Sequence, residues 1–270
     1  MPINQAALFV SHGAPDLVIR DIPAARFLRN LFSQRPKPDA ILVLSAHWET
    51  RGISLTTAKD LNTIYDFGGF DRELYRIKYP VNSSAKLIDQ VTELLASADI
   101  PVNLEPKRGL DHGVWAPLKL MFPAADIPVV QMSIDRDRSP AQLMELGQTL
   151  APLAEQNVLI LGSGASVHNL RYLSPQGSPP PQWAIDFDQW TNKIITEGNW
   201  QELCRFKEQH LGSLAHPTPE HFLPLIFASG TIAGKSPGNI KGNFSKRLHF
   251  SYSYGTIGMS AWEFNNKAYF

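Results

Sequence analysis

Three short apolar runs in this chain each break off into small residues and a histidine, and this repeated ending constrains the fold more than any other feature. Ala6-Ala7-Leu8-Phe9-Val10 leads into Ser11-His12-Gly13, and Ala40-Ile41-Leu42-Val43-Leu44 into Ser45-Ala46-His47. Asn157-Val158-Leu159-Ile160-Leu161 leads into Gly162-Ser163-Gly164-Ala165-Ser166-Val167-His168. Short apolar runs between turn formers read as strands covered on both faces, the habit of a parallel sheet. In such sheets ligands bind beyond the carboxyl ends of the strands. One strand-end histidine has a plain explanation as a packed ring; three point to one shared site.

The segments between these strands read mostly as helices. Residues 21–33 carry Ile22, Ala25, Phe27, Leu28, Leu31 and Phe32 on one broad face and return the chain to the second strand. Residues 83–97 form a helix capped at Asn82 or Ser83, residues 127–134 a buried strand, and residues 139–151 the helix after it. Gly52-Ile53-Ser54-Leu55-Thr56-Thr57 alternates like a half-exposed strand. This alternation implies an α/β fold: a single domain over residues 1–270, with a central, mainly parallel sheet flanked by helices and a site at the carboxyl ends of the strands. Its crossovers are right-handed.

Further along, Ser174–Pro181 is a loop or linker by composition and need not be a domain boundary. Trp183, Phe187, Trp190 and Ile194 recur at helical spacing as a packing stripe, and residues 199–210 form a helix carrying Cys204 and His210 in structural or surface roles. Thr218 is placed to cap a helix with Pro219 at its first position and His221 in its first turn. The tail from Leu248 to Phe264 alternates around a glycine-containing turn, as a hairpin or a pair of strands added to the sheet.

Composition narrows the partners. Lys+Arg and Asp+Glu are equal at 25 each, so net charge gives no reason to expect nucleic acid or an anionic membrane. The single cysteine excludes a disulfide or a thiolate zinc cluster within the chain. No apolar run approaches the roughly 20 residues of a membrane span, and the first residues lack a basic leader, so a soluble, cytoplasmic protein is expected. The sequence carries no signal that fixes an oligomeric state.

Five of the eight histidines, His12, His47, His112, His168 and His221, fall in glycine, proline or small-residue turns. Neutral imidazoles bind zinc, iron, copper or nickel, and ligands can come from distant parts of a chain. The short local zinc signatures are absent. Gly162-Ser163-Gly164-Ala165-Ser166-Val167 has valine where a dinucleotide fingerprint needs its third glycine. Leu161 likewise rules out a nucleophile elbow around Ser163.

Taken together, five motifs carry a resemblance. They are Ser11-His12-Gly13-Ala14-Pro15, Ser45-Ala46-His47-Trp48-Glu49, Leu110-Asp111-His112-Gly113-Val114-Trp115-Ala116-Pro117-Leu118, Gly162 through Asn169, and Thr218-Pro219-Glu220-His221-Phe222. In this order the chain resembles the extradiol ring-cleavage dioxygenases of the LigB superfamily, and more narrowly their DOPA 4,5-dioxygenase type. The resemblance implies one divalent metal per chain, Fe(II) for turnover or Zn(II) as found in DOPA-type members, with a small aromatic diol and O₂ as substrates. His12 and His47 match two family ligands. The third place, a glutamate in the broader superfamily, falls at His221 with Glu220 beside it. His112 and His168 match the family's acid/base histidines, with His168 as base and His112 as acid; His168 is alternatively a fourth ligand around a resting zinc.

A catechol must lose protons to chelate a metal, and a proton must reach oxygen as the O–O bond breaks; imidazoles suit both tasks. Three neutral imidazoles leave the full 2+ charge on the ion, which favours zinc retention or an anionic catecholate. Tyr65, Phe67, Phe70, Trp48 and Trp115 are candidates for an aromatic pocket, with core packing the expected role of at least half. The expected product is a muconic semialdehyde. Two other readings remain at this point: a zinc metallohydrolase, and a non-catalytic metal-binding module on the same fold.

Overall fold

In the computed structural model, which describes residues 4–233 and 243–269, eight strands form one sheet. They are β1 (Ala7–Ser11), β2 (Ala40–Thr50), β3 (Ile53–Thr56), β4 (Val102–Glu105), β5 (Val129–Asp135), β6 (Val158–Gly164), β7 (Asn243–His249) and β8 (Ala261–Tyr269). Their spatial order is β4-β3-β5-β2-β6-β1-β8-β7. The central strands β5, β2, β6 and β1 run parallel, while β8 and β7 add an antiparallel edge, so the tail does join the sheet as a pair of strands.

Alternation along the strands divides the core between the two faces of the sheet. Leu8, Val10, Ile41, Val43, Leu159 and Leu161 pack beneath helices α1 (Pro23–Asn30) and α3 (His112–Met121). Phe9, Leu42, Leu44 and Ile160 face the opposite layer, with α2 (Ala85–Ser97), α4 (Pro140–Leu150), α5 (Gln182–Glu197) and α6 (Leu223–Ala233). All eleven residues of α6 are buried, which suits a helix that is apolar on every side.

Register sets up the site. Val10 and Ser45 both pair with Ser163, so His12 and His47, each two residues further on, lie at the same level. Beyond Leu44 the pairing of β2 with β5 shifts: the step from Leu44 to Glu49 is matched only by the step from Met132 to Ile134. Such a bulge re-aims side chains at a sheet edge, and His47 lies within it.

Several local expectations need correction. Ile53–Thr56 is buried throughout rather than half-exposed, because Ser54 and Thr56 satisfy their polar groups against Ser133 and Gln131 of β5. Ser84, not Asn82 or Ser83, caps α2. The helix expected over 199–210 stops at Cys204, and Phe206 turns into the core against Phe222 and His216. Thr218 donates to Glu220 instead of capping, and α6 begins at Leu223, so His221 sits in the turn before the helix. No described helix is long and apolar enough to cross a membrane.

Candidate metal centre

All five histidines singled out in the sequence converge at the carboxyl ends of β1, β2 and β6. His12, His47 and His221 each offer a nitrogen, and these atoms lie within 4.8 Å of one another. The His112 ring centroid lies 4.0 Å from that of His47, and the His168 ring stacks on His221 with centroids 3.5 Å apart. His210 is exposed and His216 is buried among Phe187, Phe206 and Phe222; neither joins the cluster.

Four of the five rings are held from behind, and each partner dictates the tautomer. The Ser163 hydroxyl donates to the Gly113 carbonyl, so it accepts from His12 Nδ1–H at 3.0 Å. His221 Nδ1–H donates to Glu220 at 2.9 Å. His47 Nδ1 lies 3.4 Å from Asp66, whose other oxygen takes both the backbone N–H and Nδ1–H of His112 at 2.9 Å. With Nδ1 carrying the proton, the Nε2 atoms of His12 and His47 face each other as lone pairs at 3.0 Å. Two acceptors at that distance repel unless a cation lies between them, so this donor set fits a divalent metal. Glu220 serves as the outer partner of His221, which leaves His221 as the residue able to complete a three-imidazole set.

Electrostatics agree with neutral rings. Burial, reinforced by the neighbouring imidazoles, holds His12 well below the ordinary histidine range. Burial and His112 bring His47 down to about 3, despite Asp66. Burial likewise lowers His221 to about 4 against the pull of Glu220, and His168 to about 3. The carboxylates behave oppositely: burial would raise them, but hydrogen bonds from His112 and His221 outweigh it and hold Asp66 and Glu220 near 2.

Two glycines make room for the cluster. A Cβ on Gly164 would overlap the His221 carbonyl oxygen. One on Gly113 would sit 2.5 Å from Ser45 Oγ and about 3 Å from the rings of His47 and His12. Gly113→Ala is therefore expected to splay the two imidazoles and weaken metal binding by roughly tenfold or more, as disturbing a metal's supporting shell does. Metal competition together with circular dichroism checks this; unchanged affinity in a folded variant would contradict it.

Beside the cluster lies a cavity of about 380 Å³, walled by Pro15, Phe67, Phe70, Leu170, Leu173 and Ile257 and reached by His47, His112, His168 and His221. Of the five expected aromatics, Phe67 and Phe70 line it. Trp115 is buried with its N–H on the Ile64 carbonyl, Tyr65 bonds the Ile77 carbonyl, and Trp48 packs under Arg108. Sequence reasoning missed Asp66; its only local signal was an acid within an aromatic and glycine-rich loop. It also missed the buried Asp111 carboxylate, which ties Ser45, Arg108 and Gln131 together while Arg108 holds the His47 carbonyl.

Residues 18–261 match the family described as the catalytic LigB subunit of aromatic ring-opening dioxygenase. The chain is 39% identical over 265 residues to a 4,5-DOPA dioxygenase extradiol of Beta vulgaris, covering 96% of each protein. It is 41% identical over 239 residues to one of Escherichia coli K12, covering 86% of each. A crystal structure of an uncharacterized Escherichia coli K12 protein superposes with a TM-score of 0.80 at 35% identity, over 97% of this chain and 100% of that one. With the histidine cluster set at the strand ends of the matching fold, the chain belongs to the LigB family and is an extradiol aromatic ring-opening dioxygenase.

Proposed function

We propose that the protein cleaves a DOPA-like catechol with O₂, beside rather than between the hydroxyls, to a muconic semialdehyde, using one divalent metal held by His12, His47 and His221. The observation that carries this reading is the convergence of these imidazoles, each held from behind, beside a cavity of about 380 Å³ that His47 and His221 reach and Phe67 and Phe70 wall. Fe(II) is the ion for turnover and Zn(II) the ion a three-imidazole site retains. When bound, the metal supplies the place where catecholate and O₂ meet and the path for electrons between them.

The chain's own residues position the ring and move protons. Phe67 and Phe70 hold the aromatic face and exclude water. His168 has no hydrogen-bond partner on its ring nitrogens among the described residues, so a nitrogen is available to take a hydroxyl proton from the substrate. His112 gives Nδ1–H to Asp66, which leaves Nε2 as the atom that exchanges a proton with the substrate. On this reading His168 is the base and His112 the acid, and neither belongs to the proposed ligand set of His12, His47 and His221.

With ¹⁸O₂, and the aldehyde reduced as it forms so that its oxygen cannot exchange with water, both labelled atoms are expected in one product molecule. One atom or none would contradict dioxygen cleavage, and a product labelled only from solvent would favour the metallohydrolase reading.

The lowered histidines also give metal affinity an unusual pH dependence. Only the unprotonated ring binds, and ordinary histidines would cost up to about tenfold in affinity per ligand for each pH unit below about 6.5. Here His47 and His221 stay unprotonated down to about 3 and 4, and His12 also lies far below the ordinary value. Affinity is therefore expected to stay nearly level from pH 7 to 5 and to fall below about 4. Zinc competition at pH 7 and 5 checks this, and a drop of roughly a hundredfold or more would contradict it.

A further inference from the structure

We propose that Arg20 and Asp71 read a zwitterionic tail on the substrate, an α-amino acid group carried by the catechol ring. This rests on the ring-cleavage reading above and adds the residues that choose among catechols.

A second cleft, of about 700 Å³, adjoins the histidine cavity, and the two share Phe70 and Tyr254 as walls. Apart from its histidines, the inner cavity is lined by no carboxylate, lysine or arginine among the described residues, so it accepts a ring but offers no fixed charge to a substituent. The outer cleft carries Asp16, Arg20, Asp21 and Asp71.

Internal pairing removes two of these four charges from consideration. Asp16 is buried and accepts from both Arg20 Nε and the Tyr254 hydroxyl. Asp21 is matched by Arg26 at 2.7 Å and Arg29 at 3.9 Å. Arg20 gives Nε to Asp16 and lies over the Tyr254 ring, and its side chain, 41% exposed, lines the cleft. Asp71 accepts only the Glu73 backbone N–H at 2.9 Å and has no cationic partner among the described residues.

What the cleft presents outward is therefore one anchored guanidinium fork and one unmatched carboxylate. A lone anion would be repelled by Asp71, and a lone cation would leave the Arg20 fork unused; an ammonium and a carboxylate on one carbon use both. Tyr254, between the two spaces, is fixed by Gln176 Oε1 on its N–H, Ser174 N–H on its carbonyl and Asp16 on its hydroxyl. The tail thus has a rigid wall to lie against.

The test compares L-DOPA, dopamine, which lacks the carboxylate, and 3-(3,4-dihydroxyphenyl)propionate, which lacks the ammonium. Both kcat/KM in air and calorimetric affinity for the metal-loaded protein under nitrogen are measured. Arg20→Gln is expected to lower the preference for L-DOPA over dopamine by about tenfold or more, and Asp71→Asn the preference for L-DOPA over the propionate by a similar factor, the size of one charge-assisted hydrogen bond. The double variant Asp16→Asn/Arg20→Gln keeps the net charge of the wall and is expected to show the same loss as Arg20→Gln. Equal losses on all three catechols would overturn the proposal, because a structural defect moves them together. A preference restored in the double variant would also overturn it, reducing Arg20 to a counter-ion of Asp16. Binding preferences that shift as stated without cleavage of any catechol would support tail recognition and defeat the ring-cleavage reading; cleavage with unmoved preferences would do the reverse. Failure of all three to bind would overturn both.

Discussion

His221→Ala is expected to lose metal and turnover together. Structural zinc sites draw roughly 10–16 kcal/mol from four ligands, so one imidazole of three accounts for about 10²–10³-fold in affinity at the least. The loss exceeds that of a surface ligand because His221 is buried and prealigned by Glu220. Glu220→Gln keeps the ring but weakens its outer partner, and a decrease of about 10–100-fold is expected there. Metal content after dialysis, with circular dichroism to confirm folding, separates the two. A fully loaded His221→Ala protein would sink the ligand set proposed here.

The second large effect is expected at His112. His112→Ala should retain its metal and lose about 10²–10⁴-fold in kcat, the usual worth of a positioned acid or base. Asp66→Asn tests the support behind it. An amide can still occupy the loop, but it can no longer stabilise an imidazolium on His112, and its 3.4 Å approach to His47 reaches the metal side as well. A loss of about 10–100-fold in rate is expected, with a smaller loss of metal affinity. Equal metal loss in His112→Ala and His221→Ala would mean that the boundary between ligand and proton carrier has been drawn in the wrong place.

The convergence of the five histidines was legible in the sequence, for a definite reason. β1, β2 and β6 are covered on both faces, so their sequences are unbroken apolar runs whose ends stand out, and the histidines follow at those ends. The parallel sheet then leaves one edge at which they can meet. The aromatic list was less informative because a buried tryptophan and a pocket phenylalanine look alike in sequence; only neighbours such as the Ile64 carbonyl on Trp115 tell them apart. β4 escaped notice because it is a partly exposed edge strand, with Asn103, Leu104 and Glu105 giving no alternation to read. Asp66 was hidden for a different reason: its relation to His112, 46 residues away, exists only once the loop folds over α3. The shortened helix at Cys204 reflects tertiary contact overriding local propensity, since Phe206 gains more from burial than from another helical turn.

Ring cleavage requires that catechol and oxygen meet at the histidine cluster. The most direct measurement is oxygen uptake with simultaneous visible spectra, after anaerobic loading with Fe(II) or Zn(II), using L-DOPA and simple catechols. Uptake of one O₂ per catechol is expected, with a yellow semialdehyde or its cyclised product, in the Fe(II) sample only. No uptake with any catechol, despite one bound metal per chain, would contradict it.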